Sequence, residues 1–269
     1  MSVTRSTALG MAVLLVLARQ ATAQTDEIQV YDGSIAAPGQ FNLTLHNNFT
    51  PIGSTTPAFP GALVADRSVN GVPEWAYGVT DWFEAGLYLP LYSIGRVGGH
   101  DTAAMIDGGK VRLLFVAPHA DDRAFFYGAN FEFSVNAKHW DASRFTSEVR
   151  PIIGWHLHSI DVIANPIIDT AYDGLGNVDF APAVRVAYNW SKRWAAAVEE
   201  YDDYGPVHHF RPVDDESHQL WAVVDHQVGS LSVEAGVGFG WTTNSDRLTL
   251  KLILSRDLNQ RPTPSASRP

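Results

Sequence analysis

The hydrophobic and polar positions of this chain alternate most regularly between residues 230 and 241. One side of this segment carries only apolar side chains, and the other carries small or polar residues. The apolar set is Leu231, Val233, Ala235, Val237, Phe239 and Trp241, and the opposite set is Ser232, Glu234, Gly236, Gly238 and Gly240. A period of two residues predicts a β-strand. A strand with one apolar face and one small, polar face is typical of a wall that separates lipid from water.

Eleven further segments show the same period, so the pattern predicts about twelve strands. The twelve span residues 41–49, 74–79, 83–92, 110–117, 125–136, 145–155, 159–165, 178–189, 194–201, 218–225, 231–241 and 248–255. Short links alternate along the chain with mostly longer links, as periplasmic turns and outer loops do in outer-membrane barrels. The predicted fold is therefore all-β, a closed antiparallel transmembrane β-barrel with both termini in the periplasm.

Four tryptophans stand beside the short links. They are Trp82, Trp155, Trp190 and Trp194. Rings at that height predict an aromatic belt at one membrane interface, because the amphipathic indole ring prefers the headgroup level. Packing in a protein core is the alternative interpretation.

The N-terminus has the three-part organisation of a secretory signal peptide. Arg5 precedes an apolar stretch over residues 8–18, and Ala21-Thr22-Ala23 supplies the small residues that a signal peptidase needs. The stretch is much shorter than the roughly 20 residues of a membrane-spanning helix, so we expect cleavage after Ala23 and not an anchor. The predicted organisation is a signal peptide at 1–23, an outer-membrane barrel at 24–258 and a disordered tail at 259–269.

The net charge limits the kinds of partner that the chain can bind, and the cysteine content limits the chemistry that it can carry out. The chain has a formal net charge of −10 and no cysteine. An acidic chain binds nucleic acid poorly, and the lack of cysteine excludes disulfides and thiolate chemistry. For a bacterial outer-membrane barrel we expect outer-membrane lipid and lipopolysaccharide, the barrel-assembly machinery and a small-molecule solute as partners. We expect no nucleic acid partner and no cofactor.

Several stretches resemble one family of proteobacterial outer-membrane proteins. They are YGVTDWFEAGLYLP at 77–90, EVRPIIGW at 148–155, NPIID at 165–169, AYN at 187–189, and GVGFG at 236–240 with DRL at 246–248. In this order they resemble the MetA-pathway phenol-degradation family of barrels. The resemblance implies a transmembrane barrel that takes up small hydrophobic compounds, and it carries over no catalytic residue. The chain departs from such barrels at its end, where Leu258 stands in place of a terminal aromatic and a further tail follows.

Ten charged residues fall on the polar faces of the predicted strands and are candidates for lining the lumen. They are Glu84, Arg112, Glu132, Glu148, Arg150, Asp161, Arg185, Glu199, Glu234 and Lys251. A barrel of about twelve strands encloses only a modest lumen. Charges that pair across it would fill the barrel, whereas unpaired charges would form a filter for size and charge. The predicted function is a passive pore or uptake channel for small molecules, hydrophobic ones included. A plugged structural barrel without transport is the alternative.

An outer-membrane hydrolase is the rival class of function. It needs a nucleophile, a base and an orienting group held together. His158 and Ser159 are adjacent, but neighbours on a strand point to opposite faces. The carboxylates at 199–200 and 202–203 lie near the predicted outer rim, where such groups bind bridging divalent cations or stay solvated. We therefore predict that the protein is not an enzyme.

Two histidine pairs, 156 with 158 and 208 with 209, are the candidate metal ligands. Imidazoles two residues apart on a strand can share a metal, but neither pair has a carboxylate pattern beside it. We expect turn histidines in contact with solvent and no metal site.

An exported soluble β-sandwich or lipocalin-like barrel would show the same period with its two faces reversed. The length of the strands, their continuous apolar faces and the Gly and Ala on their polar faces favour the membrane barrel instead, since soluble surfaces prefer Lys, Glu and Thr at such positions.

Overall fold

The computed structural model describes residues 27–98 and 102–259, so the predicted signal peptide and the tail from residue 260 lie outside the described residues. Fifteen strands are present in these two ranges. They are β1 (Phe41–Ile52), β2 (Leu63–Gly78), β3 (Phe83–Val97), β4 (Ala103–Val116), β5 (Phe125–Asn136), β6 (Phe145–Leu157), β7 (Ile160–Asn165), β8 (Ile168–Thr170), β9 (Val178–Phe180), β10 (Ala183–Ser191), β11 (Trp194–Asp203), β12 (Gly205–Pro206), β13 (Ser217–Val228), β14 (Leu231–Gly240) and β15 (Leu248–Asp257). The described part of the chain contains no helix long and apolar enough to cross a bilayer.

Antiparallel pairing runs around the sheet and closes it. β1 pairs with both β2 and β15, with Leu45 opposite Leu254, and β7 pairs with both β6 and β10. The result is a closed barrel of 12 antiparallel strands, to which β8, β9 and β12 are short additions. A sheet in lipid has to close in this way, because no water is present there to satisfy an unpaired edge. The predicted fold class is confirmed.

The links sort into two ends of the barrel. Tight links follow β2, β6, β10 and β13, and together with the link after β4 they form what we call the turn end. The links after the other strands form the loop end, which also carries β8, β9 and β12. β1 begins and β15 ends at the turn end, because Asn42 pairs with Asp257 beside the β2–β3 turn.

The early strands are longer than their alternation predicts. β2 begins at Leu63, and not at Glu74, while β3 extends to Val97 and β4 already begins at Ala103. The side chains at even-numbered positions of β2 point inward from Ser68 to Gly78, and its pairing with β1 runs without a shift over this stretch. The first half escapes the pattern because Arg67 and Gly71 interrupt its outward face, so that face is not continuously apolar. The extra residue lies in β3 between Tyr88 and Leu91, where the inward positions change from even-numbered to odd-numbered.

The predicted strand at 178–189 is two strands. β9 pairs with β8 and β12 in a small sheet at the loop end, and β10 joins the wall only from Ala183 onward. Pro182 stands between them. Because proline lacks a backbone N–H, it cannot donate to a ladder, and the strand changes partners there.

The outward face of the wall is apolar and carries the tryptophans of the turn end. Trp82, Trp155, Trp190 and Trp194 are each 40–49% exposed, and Trp190 stacks against Trp194 with ring centroids 6.1 Å apart. Their exposure is that of an external belt and not of a protein core. The apolar exterior of the closed sheet thus continues from the tryptophan belt at the turn end toward the loop end.

Val237 tests this assignment of the outward face. It pairs with Ala222 and Leu250 in the middle of the β13–β14–β15 wall. We expect Val237→Arg to destabilise the folded barrel by up to about 2–4 kcal/mol, because a cation on the lipid face must leave water. Denaturant titration of the refolded protein in lipid vesicles measures the effect, with Val237→Leu as the apolar control. A V237R barrel as stable as the control would contradict the assignment.

Candidate functional site in the barrel lumen

The segment Glu27–Gln40, which we call the N-terminal strap, lies inside the barrel. At the turn end, Gly39 N–H donates to the Gly78 carbonyl at 2.7 Å, and Gly78 N–H donates to the Gln40 carbonyl at 3.0 Å. Deeper in the lumen, the Asn165 side chain accepts from Tyr31 N–H at 2.7 Å and donates to the Tyr31 carbonyl at 3.1 Å. These paired bonds mimic a strand ladder. They fix an otherwise irregular backbone against the wall.

Apolar side chains of the strap complete two small cores with the inward face of the wall. Val30 and Tyr31 pack in the larger one, whose other members are Leu114, Val116, Ala120, Phe126, Ile152, Ile163, Ile167 and Ala183. Ile28 packs in the second, with Ala187, Ala197, Trp221 and Val223. Burial of such apolar area stabilises the strap in the lumen by about 25 cal/mol per Å².

A charged cluster surrounds the inner part of the strap, and we call it the strap cluster. Its members are Glu27, Glu74, Glu84, Lys110, Arg112, Glu132, Glu148 and Arg150. Lys110 lies 2.7 Å from Glu132, and Arg112 lies 2.7 Å from Glu74 and also contacts Glu84. Arg150 lies 2.6 Å from Glu148. Lys110, Arg112 and Arg150 are thus each paired with at least one acidic side chain of the wall.

Glu27 is the charged residue by which the strap takes part in this cluster. Its carboxylate lies 3.8 Å from Lys110 and 3.3 Å from Arg150, and it is 2% exposed. The Arg150 guanidinium also stacks over the Tyr31 ring at 4.5 Å and donates to the Gln29 carbonyl at 2.9 Å. The strap therefore supplies a carboxylate to both cations, and a π face and a backbone acceptor to Arg150.

A second cluster lies on the opposite part of the wall, with Arg185, Glu199, Asp225, Glu234 and Lys251 as its members. Lys251 lies 2.5 Å from Glu199 and 2.6 Å from Glu234, and Arg185 contacts Glu199 and Asp225. Lys251 also donates to the Ile28 carbonyl of the strap at 3.1 Å. The strap is thus bonded to cations on both sides of the lumen.

The structure places all ten candidate residues on the inward face, and it brings nine of them into these two clusters. Asp161 stands apart near the turn end, where it accepts from His156 at 2.7 Å and from Asn189 at 2.6 Å. Ten of the thirteen cluster residues are 1–7% exposed, and the side chains of the other three, Glu148, Asp225 and Glu234, are 17–31% exposed. Water and solutes therefore have little access to most of the cluster residues in this conformation.

The loop end of the lumen is covered by residues 137–144. Trp140 packs with Leu63, Val72, Tyr88 and Leu91 in a third core. His139 lies 2.7 Å from Asp107, and its carbonyl accepts from Leu63 N–H at 2.8 Å. The strap thus occupies the lumen from the turn end, and this link packs over the β2–β4 side of the loop end.

Four cluster members were not predicted from the sequence: Glu27, Glu74, Lys110 and Asp225. Lys110 is two residues before Arg112 and shares its face, so the period itself could have found it. Glu74 and Asp225 stand at the ends of predicted strands, where the alternation is weakest. Glu27 precedes the first strand and shows no periodic signal at all.

Comparison with known proteins identifies solved structures with a similar fold but no family that matches the chain. No protein-family model matches the chain, so membership of the MetA-pathway family is not confirmed, and no curated protein matches it by sequence. Among solved structures, the COG4313 outer membrane channel from Pseudomonas putida F1 is similar with a TM-score of 0.57 and 13% identity, covering 86% of this chain and all of that one. The KdgM and NanC porins are similar with a TM-score of 0.52 each, at 7% and 8% identity, covering 81% and 80% of this chain. They cover 99% and 100% of those porin chains. The fold is that of outer-membrane barrels.

Lys251 tests the energetic role of the ion pairs. We expect Lys251→Met to lower the free energy of unfolding by up to about 3–5 kcal/mol, because Glu199 and Glu234 then have to share Arg185 as their remaining cation. The double variant K251M/E199Q should recover much of this loss, since it restores the net charge of the second cluster. Denaturant titration measures both, with Lys192→Met on an exposed turn as the control that changes stability by less than about 0.5 kcal/mol. Equal stability of K251M and the control would contradict the assignment.

Proposed function

We propose that the protein is an outer-membrane channel for small solutes, and that the N-terminal strap controls passage through it. The observation that carries this proposal is the position of the strap. It fills the lumen but takes almost no part in the ladder of the wall, so it can leave while the barrel stays closed on itself. The proposed channel is passive and has no enzymatic activity.

The membrane location is part of the proposal and has two supports. The outward face is apolar around the barrel, and the turn end carries a belt of exposed tryptophans. By the usual orientation of such barrels, the turn end and both termini face the periplasm and the loop end faces outside. The proposed partners are then outer-membrane lipid, lipopolysaccharide and, during folding, the barrel-assembly machinery.

The wall behind the strap indicates the class of solute. Displacement of the strap uncovers an apolar surface that includes Phe126, Ile152 and Ile163. Beside it stand Lys110 and Arg150, which lose Glu27 as a partner. An apolar surface next to cations favours small molecules that join an apolar body to an anionic or polar group. This refines the small hydrophobic compounds that the sequence resemblance implies.

Asn165 tests control by the strap. Its side chain makes two hydrogen bonds to the Tyr31 backbone, and each contributes about 0.5–1.5 kcal/mol. We expect Asn165→Ala to raise the open fraction about tenfold, since 1.4 kcal/mol is a factor of ten in an equilibrium constant. Single-channel recording in planar bilayers and liposome swelling with solutes of graded size measure it.

Asn189→Ala is the matched control for this experiment. Asn189 also points into the lumen, but it bonds to Asp161 and not to the strap. The control should leave the open fraction unchanged. If N165A and N189A both fold, as judged by heat-dependent mobility on gels, and neither conducts, the barrel is a plugged structural protein and the proposal is wrong.

A reversible cross-link tests the same movement from the opposite direction. Ser34 Oγ lies 3.4 Å from Asp121 Oδ1, and the chain has no cysteine of its own. In an N165A background, we expect oxidised S34C/D121C to close the channel and a reductant to restore the openings. Each single-cysteine variant is the control and should not respond to reductant. Openings that persist in the fully cross-linked protein would show that the strap does not gate the lumen.

A further inference from the structure

A cluster of histidine and carboxylates lies on the outward face of the wall, at the loop end, away from the lumen. Asp202 of β11 and His218 of β13 are directly opposite each other, and one rung closer to the barrel middle Glu200 is opposite Leu220. Leu220 in turn faces Phe239, and both are among the exposed apolar residues of the exterior. Residues that are two apart on a strand, or directly opposite on neighbouring strands, point to the same face of a sheet. Glu200, Asp202 and His218 therefore lie on the outward face, where the apolar surface ends toward the loop end. We call these three residues the rim site.

The geometry of the rim site suits a metal ion. The three residues each offer one ligand atom, and these atoms all lie within 4.8 Å of one another. His218 Nδ1 is 2.6 Å from Asp202 Oδ1, and His218 Nε2 is 2.9 Å from a carboxylate oxygen of Glu216. A histidine that binds a metal through one nitrogen commonly donates its other N–H to a carboxylate, which fixes the ring. Glu216 is already in that position.

The environment of His218 is restricted. The ring is stacked on Trp241 with centroids 4.5 Å apart, and Tyr204 meets it edge-on at 5.4 Å. The residue is 5% exposed. Aromatic walls on two sides hold the imidazole in one orientation and reduce the water around the carboxylates, so that a cation there is screened less than at an open surface.

The charge of the rim site differs from that of the lumen. In the two clusters of the lumen, lysines and arginines neutralise the acids. Among the described residues, no lysine or arginine lies within 4.0 Å of Glu200, Asp202 or Glu216, and the ion-pair partner of the last two is His218. The neighbouring Asp203 points inward and is paired with Arg211 at 2.8 Å. Three carboxylates thus converge on one imidazole, and a divalent cation would balance them.

We propose that Glu200, Asp202 and His218 bind a divalent transition-metal cation of the Zn²⁺ class, with Glu216 orienting the histidine. Imidazole with carboxylates favours zinc-like ions over calcium and magnesium, which prefer oxygen ligands alone. Binding replaces the proton at Nδ1, which is released to solvent. The Nδ1–Oδ1 distance then widens to roughly 3.3 Å, as required by two ligands at about 2.0–2.1 Å in a tetrahedral site. A fourth position faces outward, where water or a phosphate oxygen of a lipid headgroup completes the shell.

This site does not depend on the channel function, because it lies on the other face of the wall. It differs from the histidine pairs at 156–158 and 208–209 considered from the sequence, since its donors come from different strands. The metal itself is therefore the probe. Isothermal titration of ZnCl₂ into the untagged, refolded protein in detergent should show one saturable site, with weaker binding of CaCl₂.

Variants assign the ligands. Glu200→Gln and His218→Gln should weaken Zn²⁺ binding by more than tenfold, and Glu216→Gln by about 10–100-fold. Asp203→Asn is the matched control, since Asp203 is adjacent but points into the lumen, and it should bind as the native protein does. The double variant H208Q/H209Q should also bind normally. The visible spectrum of Co²⁺ in the native protein should show a mixed nitrogen and oxygen site that is lost in H218Q.

Four results would overturn the proposal. They are no saturable Zn²⁺ binding by the folded native protein, equal affinity of H218Q and the D203N control, loss of binding in H208Q/H209Q alone, and tighter binding of Ca²⁺ than of Zn²⁺. Heat-dependent mobility on gels shows that each variant is folded. Channel conductance is not a readout here, so failure of the rim site and failure of the proposed channel are separate outcomes.

Discussion

Satisfying the backbone of a sheet that has an apolar exterior is the constraint on which the rest of the structure depends. Twelve strands pair with two neighbours each, and the ladder between β1 and β15 removes the last free edges. Closure forces strict alternation, because every second side chain must then point into a narrow interior. That interior is where polar residues accumulate, since the exterior excludes them. The charged lumen is thus a consequence of closure and not a separate feature.

Charges confined in this way have to be neutralised, and the strap takes part in doing so. A buried cation without a partner is costly, because the loss of its hydration exceeds what a single distant charge returns. Lys110 and Arg150 share the acids of the wall with Glu27, and Lys251 uses the Ile28 carbonyl as well as Glu199. The strap is therefore held in the lumen by the same groups that a solute would meet if the strap left. In the proposed channel, a solute with an anionic or polar group would compete for those cations.

The sequence predicts the strands of the barrel wall well and the contents of the lumen poorly, for one physical reason. Alternation is a local signal that each strand carries alone, so twelve strands and ten inward charges follow from it. The contacts of the strap are not local: Tyr31 bonds to Asn165, 134 positions along the chain. Such a pairing is set by the register of the closed barrel, and no short window contains it. The first half of β2 is missed for a different reason: Arg67 and Gly71 stand on its outward face, so that face lacks the continuous apolar alternation of the other strands.

The dipeptide Glu199-Glu200 shows what the register of a strand reveals that the amino-acid sequence alone does not. From the sequence, these acids and those at 202–203 form one acidic stretch near a rim. On the strand they separate completely: Glu199 points inward and binds Lys251, whereas Glu200 points outward beside Leu220. The next polar pair separates in the same way, with Asp203 bound to Arg211 and Asp202 bound to His218. Lysine and arginine neutralise the inward acids, and histidine alone stands among the outward ones. Two neighbouring residues of identical chemistry thus belong to a buried ion-pair cluster in one case and to an acid-rich cluster at the outer rim in the other, and the pleat of β11 decides which is which.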